Sequence, residues 1–359
     1  MSTQHPTLSP TSTPTSAPTR PPIVAVIGAY GHTAAFVLGE LRRRGGFGLL
    51  LVGRDAARLD AVARAHPGAE ARVADLADPA ALDRALAGAA VVVNCAGPFA
   101  VTAPLVIDAA LRARIPYLDV AAEQAAVLAA FEQYGDPARE AGVAVVPAMA
   151  FYGGLGDLLA GAAKGDWEEA DEITVAIALD SWLPTEGTRK TGQSNAGKHV
   201  VFKGGRFVPP PAEPTPSVWE FPGALGEQKV VEFMTADQVT ISRHVRVPDI
   251  RVLINEAPLR DLRDPGTPPP TAVDADGRSA QTFVVDVVVR RGDEERRATA
   301  SGQDIYAVTA PLVVEAAARI LDGRATKAGA VAPADLFDAA DFLRALDPEH
   351  LTFSPSTSS

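Results

Sequence analysis

Gly28 and Gly31 stand three residues apart at the end of the apolar run Ile23-Val24-Ala25-Val26-Ile27, and their chemistry would be the holding of a phosphate. The first glycine can make the tight turn out of a buried strand, and the second lets the backbone approach a charged group. Small Ala34 then lets the following helix pack close to the strand, with its N-terminus toward the anion. The spacing is Gly-x-x-Gly-x-x-Ala, a variant of the Gly-x-Gly-x-x-Gly of dinucleotide sites. A second apolar run, Phe47 to Val52, ends at Gly53-Arg54. Where NAD is preferred, this point usually carries an acid for the ribose 2′-hydroxyl. Here Arg54 offers a rigid fork suited to a 2′-phosphate, or else it is a solvated arginine at a helix start. Asp55 is placed to cap the next helix. Asp75, before Leu76, could accept from an adenine amino group, cap a helix, or be a plain surface acid. The run Asn94-Cys95-Ala96-Gly97-Pro98-Phe99 leaves room for a ribose or nicotinamide against its small residues, with Pro98 stiffening the turn and Phe99 as a wall. Tyr117 and Asp119 end a further strand, where either could give a proton to a reacting group or simply anchor the loop.

These residues need a scaffold that brings strand ends together, and the chain supplies one. Short apolar runs recur at Ile23–Ile27, Phe47–Val52, Ala71–Ala74, Ala90–Val93, Pro116–Val120 and Val143–Val146. Alanine-rich segments with helical spacing lie between them, such as Ala80 to Ala87 and Ala103 to Arg112. Six strands alternating with helices predict a doubly wound parallel sheet, which binds ligands at the C-terminal ends of its strands. From Asp171 the pattern changes to half-buried alternation: Glu172–Leu179, His199–Phe202, Ile250–Ile254, Thr282–Val289 and Arg297–Ser301 read as strands of a mixed or antiparallel sheet. One face of that sheet is expected to carry helices and the other to wall a substrate cleft.

Composition narrows the function classes. With 359 residues, 47% hydrophobic and 21% charged, the chain is long enough for two domains and has the make-up of a soluble globular enzyme. Its 33 basic and 44 acidic residues give a net charge of −11, and no basic patch speaks for nucleic acid. The single cysteine, Cys95, excludes an intramolecular disulfide and fits a reducing, cytoplasmic setting. No window reaches the ~18 consecutive apolar residues of a membrane span. Residues 1–21, rich in Ser, Thr and Pro and without the apolar core of a signal peptide, read as a disordered tail. The six histidines show no metal-ligand spacing, so no metal site is expected, and hydrolase and kinase motifs are absent.

Gly28-Ala29-Tyr30-Gly31-His32-Thr33-Ala34, Gly53-Arg54-Asp55, Asn94 to Phe99 and Tyr117-Leu118-Asp119 together resemble the saccharopine dehydrogenase-like NAD(P)-binding oxidoreductases. Ser301-Gly302-Gln303-Asp304-Ile305-Tyr306 is similar to that family's late glycine-x-aspartate-x-tyrosine segment, which leads into a helix. The resemblance spans roughly residues 22–347. It implies a Rossmann-type domain of residues 22–149 plus about 304–348, and a second α+β domain of residues 150–303. It also implies an interdomain cleft, with C-terminal helices (about 310–321 and 333–346) packed back on the nucleotide domain. The cofactor would rest on Gly28, Tyr30, Gly31, His32 and Thr33, with Arg54, Asp75 and Leu76 toward the adenosine and Ala96, Gly97 and Pro98 toward the nicotinamide. NADP is favoured over NAD through Arg54.

One departure stands out. Many family members carry Gly-Phe-Asp-Ser-x-Pro-x-Asp after the sixth strand, where this chain has Ala150-Phe151-Tyr152-Gly153-Gly154-Leu155-Gly156-Asp157. Tyr152, in place of the first aspartate, could donate a proton or pack under a ring. Asp119, Tyr117 and Tyr152 are therefore the catalytic candidates. Ser181, Trp182, Thr185, Arg189, Lys190, Thr191 and Ser194, in the loop after Leu179, could grip a substrate carboxylate or phosphate, or be solvated. His244 and Trp219 are further cleft candidates with surface, interface or core roles as alternatives. The expected activity is hydride transfer to or from a C=N/C–N or C=O bond of a small amino- or keto-acid-like substrate. The alternatives are a trans-acting enoyl reductase on a lipid or carrier-bound substrate, with a carrier protein as partner, and an NADP-binding protein without turnover. A homodimer is compatible with either enzyme reading.

Overall fold

In the computed structural model, which describes residues 20–195, 197–212 and 216–358, the Val- and Leu-rich runs pair side by side in parallel. They are β1 (Ile23–Ile27), β2 (Gly48–Gly53), β3 (Glu70–Val73), β4 (Val91–Asn94), β5 (Tyr117–Asp119) and β6 (Ala144–Val146). Their order is β6-β5-β4-β1-β2-β3, with every pairing parallel, as in a doubly wound nucleotide-binding sheet. Apolar side chains point to both faces because helices cover both, so β4 is buried along its whole length. A strand that the sequence did not signal, Gly329–Ala330, adds outside β6. Of the expected tail, all but residues 20 and 21 lies outside the described residues.

The helices begin where local chemistry starts them. Asp55 accepts the Arg58 N–H and opens the Ala56–Ala65 helix. Asp78, not Asp75, caps the Pro79–Leu86 helix, with Pro79 in its first turn. The His32–Arg44 helix opens on Gly31 with no side-chain cap, and ends in Arg42, Arg43 and Arg44, which suit the carbonyl end of the dipole.

The second sheet is mixed and larger than expected. Its strands are β7 (Glu172–Leu179), β8 (Val201–Lys203), β9 (Arg206–Val208), β10 (Ser217–Phe221), β11 (Gly226–Glu232), β12 (Asp249–Asn255), β13 (Thr282–Arg291) and β14 (Glu294–Gln303). The Gly329–Ala330 strand of the first sheet is β15, and β16 is Thr352–Ser358. The order is β10-β11-β12-β7-β13-β14-β16, with only β12 and β7 parallel along it. The face bearing Ile173, Val175, Ile177, Val285 and Val287 joins the main core and meets the Gly156–Lys164 helix. The other face is lined by Ala176, Ala178, Val230 and Leu253. Trp219 of β10 crosses it to donate from Nε1 to Asp286 Oδ2 of β13 at 2.8 Å, and Arg297 of β14 reaches the Glu220 carbonyl at 2.6 Å. In a flat sheet β10 and β13 would stand roughly 19 Å apart. The sheet therefore curls until its first strand meets the side chains of its fifth and sixth, and the small alanines make room. This corrects two expectations: this face walls no cleft, and Trp219 closes the curl on the side away from Trp182.

At the C-terminal end the Thr309–Leu321 helix lies along the His32–Arg44 helix, where Arg44 pairs with Glu315. The single helix expected over 333–346 is two, Pro333–Leu336 and Ala339–Leu346, because Asp338 caps the second by accepting the Asp341 N–H. Both pack on the Gly156–Lys164 helix. A β-carbon on Gly161 would come within 2.8 Å of Ala334 Cβ and 2.9 Å of Ala339 Cβ, so glycine permits that approach.

Candidate functional site

The C-terminal ends of β1, β2, β4 and β5 converge on one edge, and the glycines there are required by close contact. Gly28 adopts φ +72°, and a β-carbon on it would stand 3.0 Å from Ala96 Cβ. A β-carbon on Gly31 would stand 3.2 Å from the Gly28 carbonyl oxygen. Bare backbone therefore lines this turn, next to an uncapped helix N-terminus of thirteen residues. That cradle, which any side chain would fill, fits a dinucleotide pyrophosphate on Gly28, Tyr30, Gly31, His32 and Thr33.

At the end expected to take the adenosine, Arg54 is exposed and makes no ion pair among the described residues. Asp75 is exposed as well. Its Oδ1 accepts the Ala77 N–H at 3.0 Å, which shapes the turn carrying Leu76 and leaves Oδ2 open. At the other end, Ala96, Gly97 and Pro98 are held by a buried chain of hydrogen bonds. The Ala96 N–H donates to Asn94 Oδ1 (3.0 Å), Asn94 Nδ2 to Tyr117 Oη (3.2 Å), and Tyr117 Oη to Asp119 Oδ2 (2.8 Å). Asp119 Oδ1 accepts the N–H groups of Ala121 (3.0 Å) and Ala148 (2.7 Å). One carboxylate thus ties the loops after β5 and β6 together. Burial pushes the Asp119 carboxyl up to about 6 against the pull of those donors, and pushes the Tyr117 hydroxyl well above 10. Cys95, beside them, is pushed up to about 12 by burial, too high for a thiolate nucleophile.

Tyr152 sits in a kinked turn over Phe151–Leu155, in which Gly153 has φ +102° and no space for a β-carbon (2.7 Å from Ala148 Cβ). Its ring stacks on Trp182 at 5.6 Å and meets Phe151 edge-on at 4.9 Å, with Phe233 at 6.0 Å. Its hydroxyl is buried without a hydrogen-bond partner. Burial raises its pKa well above 10, with help from the neighbouring acidic groups of Tyr306 and Asp237. Trp182 Nε1 donates to Tyr306 Oη at 3.3 Å, and the Tyr306 ring meets the His32 ring edge-on at 5.2 Å. His32, at the start of the helix that follows β1, is thereby linked to Tyr152 through two aromatic side chains. Burial lowers the His32 pKa, partly offset by Asp304.

The segment after Leu179 is partly helical rather than a loop. Glu186–Asn195 forms a helix across the sheet edge, where Thr191 Oγ1 donates to Glu123 Oε1 at 3.3 Å and lies near Gly97. Thr185 and Thr188 bond to Tyr306 Oη. Arg189 donates to the carbonyls of Asp264 and Thr267, and Lys190 forms an exposed pair with Glu186 at 2.6 Å. Ser181 bonds its neighbour Asp180. His244 is neither a surface nor a cleft residue: its Nε2 shares a 2.6 Å bond with buried Asp157 Oδ1. Sequence reasoning missed Phe233, Asp237 and Arg58. Only Arg58 left a signal, as a basic residue in the first turn of a helix, where the dipole disfavours it.

Residues 24–146 match the sequence model of the saccharopine dehydrogenase NADP binding domain. Over these residues the chain is similar to that family's NADP-binding domain. Its fold agrees. Apo saccharopine dehydrogenase (L-Glu forming) from Saccharomyces cerevisiae superposes with a TM-score of 0.66 at 16% identity, covering 94% of this chain and all of that one. The homospermidine synthase of Legionella pneumophila, in complex with NAD, superposes with a TM-score of 0.64 at 9% identity, covering 93% and 91%. No curated protein sequence matches the chain. Among the described residues, no helix is long and apolar enough to cross a membrane.

Proposed function

We propose that this protein is an NADPH-dependent oxidoreductase that reduces a polarised C=N or C=O bond of a small substrate held against Tyr152. One observation carries the reading: the nucleotide cradle and a buried, unpartnered tyrosine hydroxyl are joined through His32, Tyr306 and Trp182. The bound cofactor would supply hydride at its nicotinamide ring. The Gly28–Thr33 turn would hold the pyrophosphate, and Arg54 a 2′-phosphate. Tyr152 would give its proton to the developing anion of a carbonyl substrate, for which its raised pKa keeps it protonated. Tyr117 and Asp119 are spent on each other and on the loops, which supports a positioning role for both.

A second reading is favoured by the apolar side chains of Trp182 and Phe233 packed against Tyr152. An apolar enoyl substrate would take its proton from Tyr152 at the α-carbon as hydride arrives at the β-carbon. Calorimetric titration with NADPH and NADH, on the wild type and Arg54→Ala, tests the cofactor assignment. NADPH consumption with ketones, keto acids plus amines, and enoyl thioesters then separates the two readings. Tight NADPH binding with no turnover on any of them would favour a binding protein.

A further inference from the structure

The Arg58 guanidinium lies over the Tyr30 ring, 4.2 Å from its centroid, and its Nη2 donates to the Tyr30 carbonyl at 3.3 Å. The ring itself is seated on the end of β2. A β-carbon on Gly53 would come within 2.6 Å of Tyr30 Cε1, so only glycine there admits it. Three segments meet in this stack: the turn after β1, the tip of β2, and the first turn of the Ala56–Ala65 helix. Arg58 stands in that first turn, where the dipole opposes a cation, and it remains exposed. No carboxylate forms an ion pair with it among the described residues. The acids nearby are committed elsewhere: Asp55 Oδ1 takes the Arg58 N–H at 3.0 Å, and Glu186, which feels the Arg58 charge, is paired with Lys190. The helix dipole thus works against a cation here, and no ion pair among the described residues offsets it. The stack nevertheless holds it in place at the mouth of the nucleotide groove.

We propose that Arg58 is a second ligand of the cofactor's 2′-phosphate, acting with Arg54 and held in position by the Tyr30 ring. This rests on the NADPH reading of the cradle. Arg54 supplies a charge on an unrestrained side chain. Arg58 supplies a fork already immobilised by a ring face and a carbonyl, so less rotamer freedom is lost when a phosphate arrives. Two guanidinium groups also match a dianion better than one.

The test is calorimetry on wild type, Arg58→Ala and Arg58→Lys with NADPH, NADH and adenosine 2′,5′-bisphosphate. A charge-assisted bond to phosphate predicts that Arg58→Ala weakens NADPH and the bisphosphate by about 10- to 100-fold and leaves NADH unchanged. Arg58→Lys should recover only part, because an ammonium neither forks nor lies flat on the ring. An unchanged NADPH-to-NADH ratio in Arg58→Ala, whether both affinities hold or both fall, overturns the proposal. If the wild type binds both nucleotides equally, the 2′-phosphate reading fails at Arg54 and Arg58 alike. If it binds neither, the cofactor reading fails and takes Arg58 with it.

Discussion

Replacing Tyr152 by phenylalanine should make the protein more stable and less active, and each effect has its own origin in the structure. The side chain is 8% exposed, and its hydroxyl is desolvated without a bond in return. A buried polar group left unsatisfied costs about 1–3 kcal/mol, some of which the unfolded chain does not incur. The ring contacts with Trp182, Phe151 and Phe233 survive the substitution. Tyr152→Phe should therefore gain about 1 kcal/mol, or about 1–2 °C in Tm for a chain of this size. If the hydroxyl is the proton donor, turnover of ketone or enoyl substrates should fall by about 10²–10⁴-fold. Turnover of a substrate that arrives as a charged iminium should change little, since it needs no acid. In the wild type, a hydroxyl held well above 10 should keep carbonyl turnover flat to about pH 9. Thermal unfolding and NADPH consumption read the two arms. A destabilised variant would mean that the hydroxyl has a structural partner after all. A stabilised variant with undiminished ketone turnover would refute the donor role.

The other expectations concern the frame around that site. Burial raises the Asp237 carboxyl from its ordinary 3.8 to about 6, so its contribution to stability is full below about pH 4 and is lost as pH rises through 6. A rise of that size is worth about 3 kcal/mol. The advantage of wild type over Asp237→Asn in urea unfolding should shrink by about that much from pH 4 to pH 7, and a constant gap would contradict it. Asp286→Ala strips the acceptor from Arg297, Trp219 and Thr299 in the curl of the second sheet. It should cost about 3 kcal/mol in urea unfolding and leave NADPH affinity intact, whereas a cost under about 1 kcal/mol would mean the curl is held otherwise. The Glu186–Asn195 helix carries no hydrophobic residue and is anchored by polar contacts, so its amides should exchange with solvent faster than those of the Thr309–Leu321 helix. NADPH should slow that exchange if the helix closes over the cofactor, and equal rates with and without NADPH would count against such closure.

Much of the first domain was legible in the chain. Strands buried on both faces must be continuous apolar runs, so β1, β2, β4 and β6 announce themselves, and local capping chemistry marks helix starts such as Asp55. Gly28 and Gly31 were readable because a backbone that must turn sharply or be approached closely admits no side chain. The polar strands were not readable. β10, β11 and β16 lie at or near the margins of the second sheet, and their pattern is set by partners far away in the chain rather than by a buried face of their own. Their charge made Arg189 and Lys190 candidates for a substrate anion or for solvation, but long cations bind whatever carbonyl or carboxylate the fold brings within reach. Only the tertiary structure could show that Asp264 and Thr267 do so for Arg189, 75 and 78 positions away. The same holds for Tyr152. The sequence alone determined that a tyrosine stands after the sixth strand. Whether its hydroxyl is satisfied depends on Trp182, Phe233 and Asp237, side chains 30 to 85 positions away, which packing rather than spacing brings together.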